Sequence, residues 1–228
     1  FRDFYRAADC VRAIGQSHLY PANCRLVDAD EAMVNGAGDG SHAILVITFE
    51  SADRPQEPAM QRALEIVRAH GGEYDEQASG REGAQREGAA GQWRDAFIRM
   101  PYNREVLTPR GIIVETFETA ITWDRFPDFH ARVKAATEKA IREVTGKPGL
   151  VTCRFTHVYP DGPAPYFSFH AAGHKQRMIE QCWRIKIAAS EVLNRLGGTI
   201  THHHAVGRDH RRWYDRQRPD LFAQAMLA

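Results

Sequence analysis

Residues 150–171 read LVTCRFTHVYPDGPAPYFSFHA, and this stretch has the form of a β-hairpin. Leu150 to Tyr159 and Tyr166 to Ala171 are rich in branched and aromatic residues, at strand length. Between them lies Pro160-Asp161-Gly162-Pro163, where proline presets φ and Asp-Gly accepts a tight bend. A hairpin fixes two strands as antiparallel neighbours, so the sheet it belongs to is not a purely parallel one.

The flanking segments supply the rest of the layer. On the C-terminal side, Gln176 to Leu196 reads as the longest helix, with Met178, Cys182, Ile185, Ala189, Val192 and Leu196 on one stripe and Gly197-Gly198 as its stop. On the N-terminal side, Asp128 to Val144 is an amphipathic helix. Gly111 to Thr122 reads as a long strand, with Ile113, Phe117 and Ile121 on one face and Val114, Thr116 and Glu118 on the other. Gln92 to Leu107 is helical with a break near Pro101. Residues 78–91 are a low-complexity stretch expected to be a mobile, solvated loop. Further back, Met60, Ala63, Leu64 and Val67 recur at helical spacing, Ala43 to Phe49 reads as a buried strand, and Arg25-Leu26-Val27 as a short one. The chain opens on Phe1, Phe4, Tyr5, Ala8 and Val11, all on one helical face. The order predicts an α+β fold: a large antiparallel sheet with helices on one face.

Composition sets outer limits. The chain has 228 residues, 43% hydrophobic and 26% charged, as a folded globular protein has. A net charge of +1 argues against nucleic acid as a partner. No run of eighteen apolar residues is present to cross a membrane as a helix. Cys10, Cys24, Cys153 and Cys182 form no CxxC pair, which suits reduced thiols in a cytoplasmic protein. Arginine outnumbers lysine by about five to one, suggesting a GC-rich bacterial genome. The start at Phe1, already inside a helical pattern, leads to the expectation of a fragment. No GxGxxG or GxxxxGK[ST] loop follows any strand, so a phosphate-cradling turn is not expected here.

Three segments carry candidate chemistry. Gly197 to Gly207 contains His202-His203-His204, imidazoles that can take or give a proton near neutral pH. In extended chain His202 and His204 share one face and His203 takes the other. Adjacent histidines rarely close a tetrahedral site alone, so no metal is expected. Tyr166 heads a strand, where a phenol either projects into a cavity or packs. Arg104, in Pro101-Tyr102-Asn103-Arg104-Glu105, reads alone as a surface arginine.

Together, ETFETAITWDR (115–125), TCRFTHVYPDG (152–162), APYFSF (164–169) and GGTITHHHAVG (197–207) change that reading. In order and spacing they resemble the C-terminal part of the FAD-linked oxidase family of the vanillyl-alcohol oxidase type, closest to its alkyldihydroxyacetonephosphate synthase branch and bacterial relatives. The resemblance covers nearly the whole chain. It implies that residues 1–228 are a ferredoxin-like cap, or substrate, domain facing an FAD held by a separate domain. That FAD-binding domain and a C-terminal tail would lie outside the chain. It implies catalytic roles for Tyr166, His202, His203, His204 and Arg104, with His203 and His204 also against the cofactor. The implied activity is exchange of acyl for alkyl on a phosphorylated ketone through a flavin N5 adduct. Tyrosine and histidine would move the proton, and basic groups would hold the phosphate and the departing fatty acid. Ala205 stands where the family usually has Gly, and Arg208 where lysine is common.

Two other readings compete. A D-2-hydroxy acid dehydrogenase of the same superfamily would carry Gly-Glu-His-Gly in place of His202-His203-His204-Ala205. It would also carry a GDGNxH strand, of which only Asp161-Gly162 survives. A stand-alone, non-catalytic binding domain is the third. The expected partners are a small substrate, phosphorylated or lipid-like, and the FAD-binding domain. A homodimer and membrane association are left open, in a bacterial cytoplasmic setting.

Overall fold

The computed structural model describes residues 1–75 and 88–226. Its elements are α1 (Phe4–Gly15), β1 (Asn23–Val27), α2 (Ala29–Val34), β2 (Ile44–Thr48), α3 (Glu57–Ala69), α4 (Gly88–Leu107), β3 (Ile112–Glu118), α5 (Phe126–Thr145), β4 (Leu150–Val158), β5 (Pro163–Ala172), α6 (Met178–Arg195), α7 (Arg211–Gln217) and α8 (Asp220–Ala225). The five strands form one antiparallel sheet in the order β2-β1-β4-β5-β3. The hairpin expected from the sequence is β4–β5 and sits at the centre of the sheet, and most of the low-complexity stretch lies outside the described residues.

Alternation along the strands sorts the side chains into two unlike faces. Leu26, Val151, Cys153, Phe155, Phe167, Phe169, Ile113 and Phe117 point one way and are buried under α1, α5 and α6. Phe126 on α5 meets Phe155 edge-on at 4.9 Å. Each such aromatic contributes roughly 2–3 kcal/mol by leaving water. The opposite face carries Arg25, Thr152, Arg154, Thr156, Tyr166 and Glu118, and α2 and α4 lie over it. Trp93 of α4 packs on Val27 and Ala32, Phe97 lies under Arg25 at 4.8 Å, and Arg104 reaches Val114 O at 3.0 Å. The helix therefore crosses the polar face from the β1 side to the β3 edge. Helices thus cover both faces, the second incompletely.

Several local readings are corrected. The helix over Gln92–Leu107 begins at Gly88 and continues through Pro101. Gln176–Leu196 becomes a short 3-10 turn followed by α6, whose 18 residues are fewer than the 20 of α4 and α5. Ile44–Thr48 is an edge strand with only Val46 buried. The long strand expected to reach Thr122 ends at Glu118. Beyond it the backbone still donates from Thr119 N to Pro165 O (3.1 Å) and from Ile121 N to Pro163 O (3.4 Å). Proline returns no N–H, so the ladder becomes one-sided and strand geometry lapses. Helix α2 has no counterpart in the sequence reading. Its start is set by Asp28, whose carboxylate accepts from Glu31 N at 2.7 Å.

Candidate functional site

Glu118, the last residue of β3, organises the site. Its side chain is wholly shielded from solvent and points to the polar face of the sheet. Thr156 Oγ1 donates to Oε1 in a short hydrogen bond, and His203 N donates to Oε2 at 3.2 Å. His203 Nδ1 meets Oε2 in a second short contact. His202 Nδ1 lies 3.4 Å and His157 Nδ1 3.9 Å from Oε1. Burial works against the Glu118 charge, but the Thr156 hydroxyl and the His203 backbone and ring outweigh it, so its carboxyl sits below the usual range.

The loop that carries the triplet is delivered here by its own backbone. Gly197 ends α6 at φ 73°, where a β-carbon is disfavoured. Gly198 follows, and a β-carbon there would come within 2.5 Å of Phe129 Cζ. The close approach lets Thr199 pair with the chain just past Glu118. Thr199 N donates to Ala120 O (3.1 Å), and Thr119 Oγ1 donates to Thr199 O (2.6 Å). From α7, Gln217 accepts from Ile200 N at 2.9 Å and donates to Gly198 O at 2.6 Å. Thr201 Oγ1 donates to His204 O at 2.8 Å, closing the turn that holds the triplet.

That turn overrides extended-chain alternation. His202 and His203 both face Glu118, while His204 lies edge-on to Tyr166 with ring centroids 5.5 Å apart. The expectation that His202 and His204 share a face and His203 opposes them is therefore wrong. Tyr166 is half-buried and donates to Thr116 Oγ1 at 3.0 Å. The Arg154 guanidinium covers its ring at 3.9 Å. Burial, and then neighbouring His202, holds the His157 ring below its ordinary pKa. His204 is lowered mainly by burial. Both favour the neutral imidazole.

Arg104 is brought to a different place. It bonds Val114 O and Glu115 Oε2 (3.0 and 3.1 Å) at the β3 edge, where it and Lys186 line a cavity of about 270 Å³ with Met178, Cys182 and Trp183. Its hydrogen bonds do not include Tyr166 or the triplet.

Four contributors escaped the sequence reading: Glu118, His157, Tyr159 and Thr156. Tyr159 OH bonds His202 Nε2 at 2.9 Å. A β-bulge between Phe155 and His157 leaves Thr156 as an extra residue, so consecutive residues Thr156 and His157 both reach toward the Glu118 carboxylate. Strict alternation would have placed His157 with Phe155 in the core. The face shared by Glu118 and Thr116 was legible; the bulge was not.

The family model for FAD linked oxidases, C-terminal domain, matches residues 1–228. The chain belongs to that family. Among curated relatives, the alkyldihydroxyacetonephosphate synthase of Caenorhabditis elegans is 34% identical over 115 residues, 49% of this chain and 19% of that protein. The synthases of Dictyostelium discoideum and Trypanosoma brucei brucei are 24% and 26% identical over 124 residues, 54% of this chain and 20% of each. These three relatives are eukaryotic, whereas composition had pointed to a bacterial source. Two solved structures of alkyldihydroxyacetonephosphate synthase match 96% of this FAD-linked oxidase domain, with TM-scores of 0.70 and 0.63 at 18% and 17% identity. They show the fold. The domain covers 42% and 41% of those chains, and its aligned parts span about a fifth of the curated relatives' length. Among the described residues, no helix is long and apolar enough to cross a membrane.

Proposed function

We propose that residues 1–228 are the substrate cap of an FAD-dependent enzyme of the alkyldihydroxyacetonephosphate synthase type, exchanging acyl for alkyl on a phosphorylated ketone. The FAD-binding domain and a C-terminal tail lie outside these residues in this reading. The observation that carries it is the edge-on contact of Tyr166 and His204 above the polar face of the sheet. A phenol and a neutral imidazole at that separation can pass a C–H proton, with substrate or one water between them. Thr116 fixes the phenol and Thr201 fixes the His204 backbone, so the pair is held in position beforehand.

The residues present fit one face of a flavin. His157 and His203 are half-exposed imidazoles edge-on to each other, and the Tyr159 ring stacks beside His157, together a polar and aromatic wall. No glycine-rich phosphate turn accompanies them, so the pyrophosphate would be held by the other domain. When bound, FAD would supply the reactive N5 of its ring system. His203 and His204, with ring centroids 4.7 Å apart, are the residues proposed to meet it. His202 is turned inward to Glu118 and Tyr159, so its part is to hold the loop.

Arg104 and Lys186, gathered around Glu115, suit the anionic end of a substrate or a departing fatty acid. Met178, Ile179 and Trp183 beside them suit an alkyl chain. The arginine-rich composition and unpaired thiols support a bacterial, cytoplasmic setting.

The test uses the full-length, FAD-loaded protein with an acyl-dihydroxyacetone phosphate and a fatty alcohol. The expected result is release of fatty acid with formation of the alkyl product, reduced by about 10²–10⁴-fold in Tyr166→Phe. Net reduction of the flavin by a D-2-hydroxy acid, without exchange, would overturn the synthase reading in favour of a dehydrogenase. Residues 1–228 purified alone are expected to be colourless, without the flavin band near about 450 nm. Stoichiometric flavin in that sample would remove the division of labour between cap and FAD domain.

A further inference from the structure

We propose that Glu118, His157, His202 and His203 hold one divalent cation of the zinc class, in a closed four-ligand site that fastens the triplet loop to the sheet. Each residue offers one ligand atom, and the four atoms all lie within 4.8 Å of one another. Nitrogen and oxygen ligands around tetrahedral zinc stand about 3.3 Å apart, given bond lengths of about 2.0–2.1 Å. The contacts from Glu118 to His202 and His157, 3.4 and 3.9 Å, are already near that spacing. Three imidazoles and one carboxylate form a donor set suited to zinc or cobalt and poorly suited to magnesium or calcium.

The surroundings carry the marks of a supported site. His202 turns Nε2 to the Tyr159 hydroxyl at 2.9 Å, which leaves Nδ1 as the nitrogen facing Glu118. That Nδ1 is buried and makes no hydrogen bond. Metal-binding histidines are commonly oriented in this way by a partner on the far nitrogen. The carboxylate is likewise set by Thr156 Oγ1 and His203 N. Electrostatics point in the same direction. Among the described residues Glu118 has ion pairs only with His157, His202 and His203, and none with lysine or arginine. A buried carboxylate costs several kcal/mol unless a cation sits beside it.

Two grounds for expecting no metal are thereby removed. The missing carboxylate comes from β3, far from the triplet in sequence, and two adjacent histidines converge because the loop turns. Four protein ligands leave no open position, so the role is structural. Tyr166 and His204 stay outside the ligand set.

The experiment is titration of the chelator-stripped protein with Co²⁺ and then Zn²⁺, read by visible absorption, calorimetry and hydrogen exchange. The expected result is one Co²⁺ per chain with the intense bands of tetrahedral cobalt, displaced by Zn²⁺, and slowed exchange in residues 199–207. Glu118→Gln should remove the bands and weaken binding by about 100-fold. His157→Ala, at a half-exposed position, keeps the test open if Glu118→Gln folds poorly, and should weaken binding at least about tenfold. The absence of saturable Co²⁺ binding, or binding equally tight in both variants, would overturn the site and leave a proton shared between Glu118 and His203. These readouts need no enzymatic activity, so tetrahedral cobalt bands in a protein without exchange activity would uphold the site while removing only the synthase reading.

Discussion

Two buried glutamates lie on the same face of the sheet, and they are answered in opposite ways. Glu31, on α2, is 2 % exposed and is met by Arg154, 3 % exposed, in a short ion pair. Thr152 donates to its other oxygen at 2.8 Å. Glu118 is equally buried, yet its ion-pair partners are histidines, whose charge depends on pH and on what else they bind. The first pair is permanent and ties α2 to β4. The second is conditional, and it is the one beside Tyr166 and the triplet. A permanent cation makes a fixture; a set of imidazoles makes a site that can change state.

The largest expected effect tests the permanence of the first pair. Arg154→Met strands Glu31 in the interior and should lower stability by about 3–5 kcal/mol in urea unfolding. The double variant Arg154→Met/Glu31→Leu should regain most of that loss, because two apolar side chains need no counter-charge. If the double variant is as unstable as the single, the pair does more than neutralise itself.

The conditional cluster should tolerate more. Glu118→Gln removes a charge whose partners can turn toward water, and a loss of about 1–2 kcal/mol is expected, with faster hydrogen exchange in residues 199–207. A loss as large as that of Arg154→Met would erase the distinction between the two glutamates.

Acid and base sensitivity sharpen the contrast further. Burial, helped by neighbouring Glu31, lifts the Asp28 carboxyl to about 7, against backbone donation from Glu31 and Cys153. Arg154 is already engaged by Glu31, so Asp28 has no arginine of its own. Its protonated form is the one the fold favours. Its contribution is complete below the ordinary value of 3.8 and is lost as pH rises through about 7. His130 behaves in the opposite sense. Burial and then Lys134 lower it to about 4, so stability is lost as pH falls from 6.5 toward that value. Between these limits the slopes oppose, each at most about 1.4 kcal/mol per pH unit. In melting curves from pH 4 to 7.5, His130→Phe should make stability decline as pH rises. Asp28→Asn should make it climb. Parallel curves for the two variants would refute the assignment.

The smallest effect on stability is expected at Tyr166. Tyr166→Phe removes one hydrogen bond to Thr116, worth about 1 kcal/mol, while the exchange reaction proposed for the full-length protein should nearly disappear. A loss of several kcal/mol would mark Tyr166 as a core residue with no special chemistry.

How far the sequence revealed this arrangement depended on periodicity. The β4–β5 hairpin, α1, α5 and the face shared by Val114, Thr116 and Glu118 followed from alternation and helical spacing, and the structure has them. The choice of Tyr166 and the triplet as site candidates rested on the family resemblance, and the structure places Tyr166 edge-on to His204. Glu31 and α2 were missed because six residues (Ala29–Val34) give too little helical pattern to read; the only cue was Asp28 three residues before Glu31. The role of Glu118 was missed because its partners lie 38 and 85 residues away in sequence. Arg104, given a catalytic role by the resemblance, bonds Val114 and Glu115 at the β3 edge. Its place is set by where α4 ends over β3, which local pattern does not encode.

The bulge at Thr156 has a consequence for anyone who edits this protein. Deleting that single residue would leave composition, charge and hydropathy almost untouched and would restore an ideal ladder between β4 and β5. It would keep His157 opposite Ala164 and on the polar side, but it would take away the hydroxyl that donates to Glu118, which only the extra residue brings there. A graft of this centre onto another scaffold must therefore carry the irregularity with it. Here the flaw in the pleat is the unit of inheritance, and the four side chains are its passengers.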